Sequence, residues 1–176
     1  MEVGGVQCNK QELKKQIKMK TLQISEGKAR SLYKTGSSEI KELLEENFGK
    51  DFFYQKITDR VKSYLDACTT LGEQPHGREN LLSKGFTLKE IYKRELETIA
   101  RALNEGWIEN IYNVEKRWIP YFVASGSPAG FQFGGSDYDS ADAYAGSGSR
   151  LSVKSKALSD YYGTQFIELW RLYFEA

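Results

Sequence analysis

What constrains this chain most is where its aromatic residues fall. Residues 107–176 carry 15 of the 23 aromatic side chains, and over that stretch the apolar period changes from helical to alternating and back. Trp118, Pro120 and Phe122 alternate with Ile119, Tyr121 and Val123, the two-residue period of a strand. Pro120 has no N–H for a ladder, which places this strand at an edge or beside a bulge. Ser125-Gly126-Ser127-Pro128 reads as a turn, after which Phe131 and Phe133 point to one face. Leu151 and Val153 share a face of a last short strand. Ser155 caps one continuous helix to Phe174, striped by Leu158, Tyr162, Phe166, Leu169, Trp170 and Tyr173. The expectation is an α+β fold: N-terminal helices, then a sheet of three to four antiparallel strands with a C-terminal helix packed across it.

The preceding region reads as helices. Ser25 is a cap for a helix to about Tyr33. Ser37 and Ser38 cap a second, with Ile40, Leu43 and Leu44 spaced for burial. Thr58 caps a third, striped by Val61, Tyr64, Leu65, Cys68 and Leu71 and ended by Gly72. Residues 73–86 hold Pro75, Gly77 and Gly85 and read as a loop, with His76 on its solvated surface. Thr87-Leu88-Lys89-Glu90 is a capping box opening a helix with Ile91, Leu96, Ile99, Ala100 and Leu103 on one face. Lys89, Lys93, Arg94, Glu95, Glu97 and Arg101, on the other face, read as solvated. The division is therefore residues 19–72 as a helical region, 73–86 as a loop, and 87–176 as helix, sheet and closing helix. Residues 1–18 lack this pattern and read as a flexible or non-native extension, with Met19 as an alternative start; without them the net charge changes from +1 to −1.

Composition narrows the function classes. A net charge of +1 provides no global field toward nucleic acid or anionic lipid. One histidine rules out a multi-histidine metal centre, and Cys8 and Cys68 make neither a disulfide framework nor a metal-spaced pair. Cys68, on an apolar stripe, reads as a buried small hydrophobe. No run of 18 apolar residues occurs, so a cytoplasmic protein with no membrane span is expected.

Motifs for chemistry are missing. No G-x-x-x-x-G-K-[ST] string occurs, and Gly146-Ser147-Gly148-Ser149 precedes a strand rather than opening a helix. Asp137, Asp139 and Asp142 are weak metal candidates whose spacing fails the calcium-loop pattern; they read as a solvated acidic loop. No catalytic residue is assigned and no cofactor is expected. What remains is a surface: Trp118, Tyr121, Phe131 and Phe133 as aromatics, with Arg117, Arg150 and Lys154 as flanking cations. An adaptor for a protein partner is the first reading of that surface. Aromatic stacking of single-stranded nucleic acid is the alternative, and a small nucleotide ligand held by residues 125–149 is a third.

The stretches Ala29-Arg-Ser-Leu-Tyr-Lys-Thr, Leu44-Glu-Glu-Asn-Phe-Gly-Lys-Asp-Phe-Phe, Ala102-Leu-Asn-Glu-Gly-Trp, Ile119-Pro-Tyr-Phe and Gly148-Ser-Arg-Leu have a recognisable pattern. Together they resemble a family of small uncharacterised proteins from the prophages and mobile elements of gut anaerobic bacteria. The similarity covers about residues 19–175 and transfers no chemistry. It implies an accessory protein of a phage or mobile element.

Overall fold

A computed structural model describes residues 24–108, 115–140 and 149–176. The extension read at residues 1–18 therefore lies outside the described residues, as does Cys8. Within them the class is α+β, and the core is organised around one long helix. Seven helices come first: α1 (Glu26–Thr35), α2 (Ser38–Phe48), α3 (Lys50–Tyr54), α4 (Ile57–Arg60), α5 (Tyr64–Leu71), α6 (Arg78–Ser83) and α7 (Leu88–Asn104). The strands β1 (Lys116–Ala124) and β2 (Phe131–Ser140) follow, then α8 (Lys156–Gln165) and α9 (Ile167–Glu175).

Helix α7 is the spine. Its capping box forms in both directions: Thr87 N–H donates to the Glu90 carboxylate at 2.8 Å, and Glu90 N–H donates to the Thr87 hydroxyl at 3.3 Å. Ile91, Leu96, Ile99, Ala100 and Leu103 are buried as the spacing predicts. Leu96, Ile99, Ala100 and Leu103 join a single core with Ile57, Val61 and Ala67 on one side and Val153, Leu158, Tyr162, Phe166 and Trp170 on the other. Tyr162 is fully buried and donates its hydroxyl to the Leu96 carbonyl at 2.9 Å. The stretch read as a loop contains α6 and does not separate two cores, because Arg78 at its start is held down on α7 by Glu95.

The expected third helix is two. Its cap is Ser63, whose hydroxyl accepts from Asp66 N–H at 3.1 Å and starts α5 afresh, while Thr58 lies inside α4. The turn this inserts leaves Leu65 59% exposed while Cys68 is buried. In α2 only Leu44 is buried; Ile40 and Leu43 face outward.

The sheet is smaller than expected. Among the described residues it has two antiparallel strands, and the last strand shrinks to one bridge in which Trp118 and Val153 exchange both backbone bonds, at 3.0 and 2.9 Å. The alternation that aims Trp118 N–H at Val153 aims the nitrogen of Pro120 the same way, with no hydrogen to donate. The ladder therefore stops after one rung, and Leu151 falls in a 3-10 turn, Ser149–Leu151. Asn104 does the work of the missing rungs, donating to the Ser152 carbonyl at 3.0 Å and accepting from Lys154 N–H at 2.9 Å.

Strand β1 also meets a bulge, where Tyr121 pairs with Gly135 and Phe122 with Phe133, leaving Gly134 extra. A Cβ at Gly134 would lie 2.7 Å from the Tyr121 ring, so the glycines here admit that ring across the strand. The closing helix breaks at Phe166 (φ −109°, ψ 25°). That break lets one apolar stripe cover two surfaces, α8 lying on the hairpin and α9 on α7. The closest crossing is at Gly163, where a Cβ would come within 2.4 Å of the Phe133 ring and 2.9 Å of Pro120.

Candidate functional site

Alternation along β1 assigns its side chains to opposite faces. Trp118, Pro120 and Phe122 turn inward, as do their β2 neighbours Phe131 and Phe133. The Trp118 ring lies 5.2 Å from that of Tyr138, and Phe131 stacks on Phe122 at 4.9 Å. Of the four aromatics read as one surface, only Tyr121 lies on the outer face. Its companions there are Ile119 and Val123, the row being 39%, 50% and 54% exposed from Ile119 to Val123.

The flanking cations are also separated. Arg117 is buried. Arg150 is exposed beside α7, where it shares a polar cleft with Glu73, Arg94, Glu97 and Arg101. Lys154 reaches the Glu105 carboxylate at 3.6 Å and the Asn104 carbonyl at 3.3 Å. The aromatic and basic candidates therefore do not converge. Asp137 accepts from Tyr138 N–H at 2.8 Å, while Asp142 and the side chain of Asp139 lie outside the described residues. No group of three or more metal-ligating side chains occurs among the described residues, and no described helix is long and apolar enough to cross a membrane.

The hairpin tip is where the geometry becomes distinctive. A groove of about 660 Å³ lies there, walled by Pro120, Tyr121, Phe122, Pro128, Phe131 and Phe174. Phe174 comes from the end of α9 and is 54% exposed, its ring 5.9 Å from Phe122 and 6.0 Å from Phe131. Tyr121 belongs to both the groove and the outer row, making one continuous apolar surface. Ile119, Val123, Phe122 and Phe174 were absent from the predicted set. The two-residue period contained the signal for the first two, because burying Trp118 sends Ile119 and Val123 outward.

A second cluster corrects two expectations. His76 is half-buried against Tyr64, whose hydroxyl lies 2.7 Å from Nδ1 and accepts from His76 N–H at 3.1 Å, while Nε2 is enclosed without a partner. Burial holds the imidazole pKa below its ordinary value and pushes the Tyr64 phenol up to about 12. Glu95, read as solvated, is 2% exposed and takes a two-pronged ion pair from Arg78, at 2.8 and 2.7 Å. The surface face of α7 thus carries one inward acid, matched to a cation on α6. The arrangement fixes the α5–α6 connection and encloses the histidine.

No protein-family model matches the chain, and no curated protein or solved structure matches it either. The functional reading therefore rests on geometry.

Proposed function

We propose that this chain is a binding module that holds an apolar segment of a partner protein against the tip of its hairpin. The observation that carries this is the groove walled by Phe122, Phe131 and Phe174, continuous with the exposed row Ile119, Tyr121 and Val123. Large exposed apolar surfaces of this kind, on a rigid support, mark interaction sites. The support is rigid because Trp170, Phe166 and Tyr162 fill the space beneath the hairpin. Recognition runs through side chains: Pro120 denies the β1 edge a ladder donor and discourages strand addition there. An accessory role in a phage or mobile element fits the family resemblance of the sequence.

A photo-crosslinking residue placed at Val123, with a second at Leu43 as an equally exposed control, tests this in the native host. The expected result is a discrete protein adduct from position 123 alone, its yield lowered at least about tenfold by Phe174→Ser, as for loss of an anchor residue. Equal adducts from both positions, or a yield indifferent to Phe174→Ser, would contradict the proposal. Salt-sensitive capture of a single-stranded oligonucleotide, lost in Arg150→Ala, would favour nucleic acid instead.

A further inference from the structure

Away from the hairpin tip, the first helices close over the last turn of α7, where three cations gather around one carboxylate and a fourth, Arg30, lies beside them. Arg60 Nη2 lies 3.1 Å from Glu105, Lys154 Nζ 3.6 Å and Lys34 Nζ 3.9 Å. Arg30 arrives from α1 with its guanidinium 3.7 Å above the Phe52 ring, one Nη on the Phe52 carbonyl and the other 3.3 Å from Gln55 Oε1. The Nε of Arg30 and the Nε of Arg60 are both enclosed without a partner. The Arg60 side chain is only 11% exposed.

This charge is not balanced. Burial lowers the pKa of both guanidiniums, and Arg60 lowers that of Arg30 further; Glu26 and Glu105 act the other way. Lining the space between these groups, one carboxylate, Glu105, faces three cations, Arg30, Lys34 and Arg60. Glu105 is held there at a backbone cost: it is the single non-glycine residue with positive φ among the described residues, at φ 50° in the left-handed region. Strain of this kind collects at functional positions. Between these groups lies a cavity of about 280 Å³ lined by Arg30, Ser31, Lys34, Arg60, Thr70 and Glu105.

We infer that this cavity binds a phosphate monoester, the phosphate group of a small molecule of mononucleotide size. The Arg60 guanidinium fork suits the paired oxygens of a phosphate, Arg30 adds positive charge beside it, and Ser31 and Thr70 in the lining offer hydroxyl donors. The cavity is too small for a polymer segment but fits a phosphate with part of its sugar. Glu105 is the internal anion that the phosphate displaces from Arg60 and Lys34. The site stands independently of the hairpin reading.

Calorimetric titration of the full chain with inorganic phosphate, adenosine monophosphate and glucose 6-phosphate tests it, the three arms separating bare phosphate from nucleotide and sugar esters. At least one monoester should bind with a Kd below about 1 mM, the weak end of the specific range. Glu105→Gln should tighten binding about tenfold by removing the competing charge. Lys34→Gln, at a side chain 61% exposed and so safe for the fold, should weaken it about threefold, as expected of a partly solvated charge. Arg60→Gln should abolish it, with Arg60→Lys intermediate because the charge stays and the fork is lost. Binding of none of the three by the wild-type chain, or a Glu105→Gln variant no tighter than wild type, would overturn the inference. So would binding confined to an oligonucleotide or a phosphopeptide.

Discussion

Between Ser155 and Glu175 the chain buries Leu158, Tyr162, Phe166 and Trp170, whereas α1, α2 and α3 together bury Ala29 and Leu44 alone. The C-terminal unit is held by area removed from water. Its aromatic rings meet in a continuous chain, Tyr162 on Trp170 at 5.0 Å and Trp170 on Phe122 at 5.3 Å. The N-terminal helices hold together through half-exposed contacts instead: Tyr33 stacks on Phe53 at 4.1 Å, Phe48 on Phe52 at 5.0 Å, and Arg30 caps Phe52. Contacts of that sort are worth about 0.5–1.5 kcal/mol each, against about 1.5–3 kcal/mol for fully burying one large apolar side chain. The difference separates two tasks. A well-packed unit can present an apolar groove without distorting, and a lightly packed one can change its order when an anion neutralises its cations.

The most severe way to break this contrast is truncation. Trp170→Ala should cost about 3–5 kcal/mol in denaturant unfolding, as expected for an aromatic removed from a packed core. Leu43→Ala, at a side chain 59% exposed, should stay within about 0.5 kcal/mol. Similar costs at the two positions would erase the distinction between the halves.

A smaller effect comes from His76, at the seam between α5 and α6. Its folded pKa is depressed by burial, so in acid the unfolded chain takes the proton first. The stability this histidine contributes is complete above the unfolded value of about 6.5 and declines as pH falls from there toward the folded pKa. Glu73 and Asp160, whose pKa values are lowered by Arg101 and by Ser136 with Lys156, add their own loss of stability at lower pH. The histidine's share is therefore read as the difference between wild type and His76→Gln. Thermal midpoints should fall more steeply for the wild type between about pH 6.5 and 5, since only it carries the imidazole. Parallel curves would show that the ring titrates as if solvated.

Features written in a short window of sequence were legible. The capping box at Thr87 and Glu90, the stripe from Leu158 to Trp170, buried Cys68 and the alternation across Trp118 to Val123 all state a period or a local hydrogen bond. Features made by distant residues were not. Pro120 announced an edge, but only its parity with Trp118 explains why the third strand ends at one rung. Glu95 looked like its charged neighbours on α7 because its partner, Arg78, is on another helix. The cation cavity is the extreme case: α1, α4, α5 and the end of α7 each contribute to it, and no spacing connects them. The surface read from aromatic and basic content failed to assemble for the same reason, since content does not say which face a side chain takes.

Native-state hydrogen exchange, resolved by residue, tests the contrast between the two halves most directly. Amides of α7, α8 and the Trp118–Val153 bridge should exchange only through global unfolding. Those of α1 and α2 should open at free energies at least about 2 kcal/mol lower, as expected of a separately opening unit. Uniform protection from α1 through α9 would contradict the account, because it would mean that both halves are held by one cooperative core.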